Sequence, residues 1–158
     1  MRNRIFGVTT SLLVAALTFT VVAWGADNNV GTWKANLAKS KYSPGPAPKS
    51  QTLTIEAHEG GIKYTSHGES ADGSAIHVEF TAKYDGMDNP VTGSPDFTSI
   101  ALKRIDAHTI DSTTKKDGTV MTTSRPVVSK DGKTRTLTTN GKNSAGKDIH
   151  NVIAYERQ

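Results

Sequence analysis

Apolar and polar residues alternate along most of this chain. Leu53, Ile55 and Ala57 fall on one side of an extended segment, with Thr52, Thr54 and Glu56 on the other. Ile62 and Tyr64 oppose Lys63 and Thr65, and the longest run sets Ile76, Val78, Phe80, Ala82 and Tyr84 against His77, Glu79, Thr81 and Lys83. A period of two is that of a strand with one buried face. Between these runs lie Gly60-Gly61, Asp72-Gly73, Asp117-Gly118 and Asp131-Gly132. Such pairs favour tight hairpins because their residues tolerate positive φ. The pattern predicts nine strands, over 31–36, 51–57, 61–68, 74–84, 97–105, 108–115, 119–129, 133–140 and 147–156.

Strands joined by hairpins make an up-and-down meander, and a meander leaves two unpaired edges unless it closes on itself. The expected fold is therefore all-β, an antiparallel up-and-down β-barrel of about 8–10 strands. A two-sheet β-sandwich is the alternative. Two connections exceed what a hairpin needs. Residues 37–50 carry Pro44, Pro46 and Pro48 around Gly45, which favours extended polyproline geometry, and residues 85–96 hold Pro90, Gly93 and Pro95. Both read as loops, placed near the mouth of a barrel where binding contacts gather.

Only the N-terminus departs from this pattern. Arg2 and Arg4 precede a mostly apolar stretch from Ile5 to Ala23, and Ala23-Trp24-Gly25 sets small residues where a signal peptidase reads them. The chain divides into a signal peptide at 1–25 and a single domain at 26–158, with a periplasmic or secreted location. An uncleaved anchor helix is the alternative; Thr9, Thr10, Ser11, Thr18 and Thr20 speak against it. The chain has no cysteine, so it lacks both the acceptor for a lipid anchor and any disulfide, and an apolar core must hold the exported domain.

Removing the leader changes the charge balance. The chain has 19 basic and 15 acidic residues, and the leader takes two arginines, leaving 17 − 15 = +2. The lysines are dispersed, with no run that would follow a phosphate backbone, so no nucleic-acid partner is expected. No nucleophile elbow, phosphate loop or zinc-protease motif occurs, and the protein reads as non-enzymatic, without cofactor or metal. His77 and Glu79 share a strand face but have no further ligands beside them.

Gly31-Thr32-Trp33-Lys34 opens the first strand, and Ala154-Tyr155-Glu156-Arg157 closes the last. With the hairpin-linked strands between them, these residues resemble the calycins, the lipocalins and fatty-acid-binding proteins. The mature chain also looks like small exported bacterial proteins of unassigned function. The resemblance implies that Trp33 plugs the closed end of the barrel beneath Arg157, a structural role. Fatty-acid-binding proteins hold a ligand carboxylate with Arg-x-Tyr on the final strand. The matching triplet here is Ile153-Ala154-Tyr155, so the charge is missing from that spot. Arg125 or Arg135 is the alternative source of that charge from a neighbouring strand, but both are expected to face solvent, since arginine is rarely buried unpaired, so a neutral apolar or amphipathic ligand fits better than a carboxylate.

These features lead to an exported, monomeric, lipocalin-like barrel that binds or carries a small apolar or amphipathic molecule, with no stable membrane insertion after signal cleavage. Tyr64, Phe80, Tyr84 and Tyr155 are the expected cavity-lining residues. Ser112, Thr114, Thr122, Ser124, Thr136 and Thr138 either add hydroxyls to a wet interior or satisfy β-propensity on the outer face. An envelope protein-binding or inhibitor module with a filled core is the second reading, and an enzyme built on the barrel the third.

Overall fold

The computed structural model describes residues 27–158, and the leader at 1–25 lies outside the described residues. Ten strands follow one another: β1 (Gly31–Lys41), β2 (Ser50–His58), β3 (Gly61–Glu69), β4 (Ala75–Lys83), β5 (Asp85–Thr92), β6 (Ser99–Arg104), β7 (Ile110–Lys116), β8 (Thr119–Val128), β9 (Thr134–Lys142) and β10 (Asp148–Arg157). Each pairs antiparallel with its sequence neighbours, and β1 also pairs with β10, so the sheet closes into an up-and-down barrel. Closure satisfies the backbone groups that an open meander would leave at its edges. The sandwich alternative is excluded.

The tenth strand is the one the pattern missed. Residues 85–92, expected to be loop, form β5, whose side chains are almost all exposed. With neither face buried, β5 carries no apolar alternation to read. It pairs with β4 only at Glu79↔Thr92 and Phe80↔Val91, and Pro90 lies just outside that short ladder, opposite Ser99 of β6. A smaller correction concerns β1, which runs to Lys41 through residues expected to be loop. Its register with β10 shifts between Asn36 and Lys41. Ser40 spans the irregularity, its Oγ donating to Asn36 O and accepting from Ala154 N.

One end of the barrel is closed by the residues that precede β1. Val30 N donates to Asp27 O, and Trp33 Nε1 donates to Asn29 O at 2.9 Å. Trp33 is wholly buried, its neighbours across the sheet being Leu53 and Arg157. Arg157 lies on Trp33 with its guanidinium carbon 4.1 Å from the ring centroid, and it donates to the carbonyls of Gly132, Val30 and Asn28. Gly31 makes this possible: its φ is 141°, and a Cβ there would overlap Arg157 Nη1. The Gly-x-Trp motif thus has a steric reason for its first residue and a packing reason for its third.

Candidate functional site

Below the cavity floor lies a second knot of polar groups. Arg104 Nη2 and Tyr84 Oη both donate to Asp27 Oδ2 at 2.5 Å, and the Arg104 guanidinium sits 4.1 Å from the Tyr84 ring centroid. Tyr84 was expected to line the cavity. Its inward parity is right, but it follows the last residue of β4 and belongs to the closing turn, where it is used up by Asp27. Burial and the neighbouring carboxylate raise its pKa, so it stays a neutral donor.

Above this floor the barrel is hollow. A cavity of about 430 Å³ runs from Asn29 at the closed end to Ser94–Phe97 and Asn143 at the mouth. That volume is inside the range of about 300–1,000 Å³ typical of small-molecule sites. Its wall is apolar at every level: Ile55, Ile62, Leu102 and Ile110 near the floor, Phe80, Ile100 and Leu137 at mid-height, and Ile76, Val78, Met121 and Ile149 toward the mouth. Tyr64 and Phe80, paired across β3 and β4, stack with ring centroids 4.6 Å apart and both line the void.

Hydroxyls from Ser66, Ser112, Thr114, Thr122, Ser124 and Thr139 punctuate this surface. Several are already paired: Thr114 with Thr122 at 2.7 Å, and Ser124 with Thr139 at 2.8 Å. Of the residues that could face either way, Thr136 and Thr138 line a groove on the outer face with Asp111 and Arg125. The reason is parity, since Leu137 between them points inward. Arg125 is exposed and donates to both oxygens of Asp111. On another part of the outer face, His77 meets His67 and Glu79, and Lys63 pairs with Glu79.

Arg135 is the principal correction. Expected to face solvent, it is only 6% exposed and lines the cavity one residue into β9, near the floor. Its Nε and Nη1 have no hydrogen-bond partner among the described residues. The ring of Tyr155 lies 5.7 Å from its guanidinium carbon, a cation–π contact, but a phenol is no counter-ion. Burial pushes the pKa of both Tyr64 and Tyr155 up, so neither supplies a negative charge. Burial also lowers the proton affinity of Arg135, although a guanidinium remains protonated at neutral pH. Of the carboxylates, Asp27 is held by Arg104, while Asp96 sits at the mouth and accepts from Ser144 N. A buried, charged group without a partner is costly, by several kcal/mol on the order of typical values.

Tyr155 does not line the cavity. It is buried beside Arg135, its partner across β9 and β10, and its hydroxyl donates to Gln51 Oε1 at 3.0 Å, while Gln51 Nε2 donates to Ser66 Oγ at 3.1 Å. This relay holds two polar side chains on the cavity wall. Arg135, Gln51 and Ser66 were all missed as site residues, yet parity marks each one. Arg135 shares a face with Leu137, Gln51 with Leu53 and Ile55, and Ser66 with Ile62 and Tyr64. Asn29 has no such signal, because it precedes the first strand.

The ten-stranded closed barrel is compatible with a calycin-like fold and can hold a ligand. No protein-family model matches the chain, and no curated protein is significantly similar to it.

Proposed function

We propose that this protein is an exported, lipocalin-like carrier that binds a small, largely apolar molecule with an acidic end, the acid lying against Arg135. The observation that carries the reading is the guanidinium of Arg135, with Nε and Nη1 unpartnered among the described residues, on the wall of a mostly apolar cavity. An apolar wall rewards an apolar body by about 25 cal/mol per Å² buried, and a buried cation demands an anion. Ile153 stands where the resemblance to fatty-acid-binding proteins calls for an arginine, but the barrel still holds a charge. That charge is Arg135, on the strand beside the one that carries Ile153.

A carrier needs no catalytic group, and the reading assigns none. The leader at 1–25 supports a periplasmic or secreted site of action. Among the described residues no helix is long and apolar enough to cross a membrane. A membrane-spanning barrel would need an apolar outer band, whereas the outward positions here carry ion pairs such as Lys63–Glu79 and Arg125–Asp111. The protein-binding module with a filled core loses its main premise to the cavity.

Native mass spectrometry of mature protein purified from its own compartment tests the proposal, with titration of anilinonaphthalenesulfonate, an apolar anion, as the solution assay. A retained small-molecule mass in the wild type, absent from Arg135→Met, is the expected result. Protein that retains nothing and binds no dye would end the carrier reading.

A further inference from the structure

The outer face of β3 and β4, turned away from the cavity, carries a separate cluster. His67 and His77 are direct partners across these strands, and both are exposed. Side chains paired in this way leave the sheet about 5 Å apart at Cβ. Here the two rings approach to a centroid distance of 4.7 Å, with their planes tilted by 41°. Their Nδ1 atoms are 3.1 Å apart, one donating to the other. Elsewhere on its ring, His77 Nε2 lies 3.9 Å from Glu79 Oε2, and Lys63 Nζ holds Glu79 Oε1 at 3.1 Å. Along β4 alone, His77 and Glu79 have no further ligand beside them; β3 brings one across the sheet.

We infer that His67 and His77 form a site for a single divalent late transition-metal ion, held by both Nδ1 atoms with water in the remaining positions and with Glu79 backing His77. Imidazole nitrogens bind such ions at about 2.0–2.1 Å. Two nitrogens 3.1 Å apart subtend about 100° at an ion of that radius, between the right angle of a square-planar site and the tetrahedral angle. A metal-bound histidine usually directs its other ring N–H to a carboxylate, and Glu79 stands beside Nε2 of His77. The ion takes the place of the proton that the rings share, and the ring that carried this proton on Nδ1 holds it on Nε2 instead. Because both rings are exposed, they turn their lone pairs onto the ion without disturbing the core. Among the described residues no three His, Cys, Asp or Glu side chains are set to hold an ion together. The site is therefore a two-nitrogen chelate open to solvent, and Cu²⁺, which heads the affinity order for nitrogen ligands, binds more tightly than Zn²⁺.

Titration calorimetry of the untagged mature protein with Cu²⁺ and with Zn²⁺ tests the site. A single Cu²⁺ binds per chain, and His67→Gln and His77→Gln each weaken it by about tenfold or more, because one imidazole cannot chelate. Glu79→Gln weakens it by about tenfold, while His150→Gln, on another pair of strands, leaves it unchanged. A second measurement uses wild-type protein and diamagnetic Zn²⁺. In long-range proton–nitrogen spectra of the rings, Nδ1 of both His67 and His77 shifts on binding and Nε2 becomes the protonated nitrogen. Copper affinity that survives the loss of either histidine, or Zn²⁺ that leaves both Nδ1 resonances in place, overturns the site. So does the absence of saturable binding of either ion. The carrier reading is untouched by these results, since the two histidines lie on the outer face.

Discussion

Arg157 and Arg135 lie close to the same end of the barrel and have opposite surroundings. Arg157 is exposed, yet it donates to three carbonyls and covers the Trp33 ring. Arg135 is buried, and Nε and Nη1 donate to nothing among the described residues. The paired arginine ties the residues before β1, the turn after β8 and the last strand into one closure. The unpaired one costs stability and contributes nothing to that closure. The contrast separates an arginine that holds the fold together from one that does not: Arg157 is satisfied by the closed end, and Nε and Nη1 of Arg135 are not.

The largest test of that division is Trp33→Ala. Removing a fully buried indole costs about 3–5 kcal/mol, read as a lower denaturant midpoint, while dye affinity of the protein that remains folded stays within about threefold. An unchanged midpoint would mean that the closed end does not carry the stability assigned to it. Arg135→Met should act in the reverse sense. Replacing a buried, unpaired charge by an apolar side chain stabilises the barrel by about 1–2 kcal/mol and weakens binding of the anionic dye by about tenfold or more. If that variant is destabilised with affinity intact, the two arginines are not the opposites described above.

Tyr84→Phe probes the knot beneath the floor. Asp27 keeps Arg104, so the loss is about 1 kcal/mol of stability with ligand affinity unchanged; reduced affinity at full stability would place Tyr84 functionally in the cavity. The smallest effect lies at the opposite end, in the turn between β3 and β4. There the Ser70 hydroxyl, followed by the N–H and hydroxyl of Ser74, lowers the Asp72 pKa to about 2. A depressed carboxylate pKa means that the turn is favoured above the ordinary carboxylate range and loosens as pH falls through about 2. Nuclear magnetic resonance titration of the Asp72 carboxyl should show that midpoint, and Ser70→Ala should move it upward. A midpoint in the ordinary range would show the turn network to be absent in solution.

How much of this was readable from the chain differs by region. The run from Ile76 to Tyr84 was read as a strand over 74–84 and is Ala75–Lys83, because one face is buried and the apolar period is unbroken. β5 was not legible, since nearly all its side chains are exposed and its pairing is set by neighbours. The cavity was legible only by half. Tyr64 and Phe80 line it, while Tyr84 and Tyr155 are consumed by Asp27 and Gln51, partners that no local pattern reveals. Arg135 was misassigned because the general rarity of buried arginine outweighed the local parity with Leu137.

What the sequence by itself determined is the class of fold: a two-residue period punctuated by turn pairs leaves few solutions other than a closed meander, and Gly31-x-Trp33 with Arg157 marks where it closes. Tertiary structure alone decided that the barrel is hollow, which tyrosines face the void, and that Arg135 and Asn29 are left unsatisfied inside it. The physical reason is that alternation is a property of one strand and its two faces, whereas a cavity and an unpaired charge are defined by what all ten strands bring, or fail to bring, to the same place.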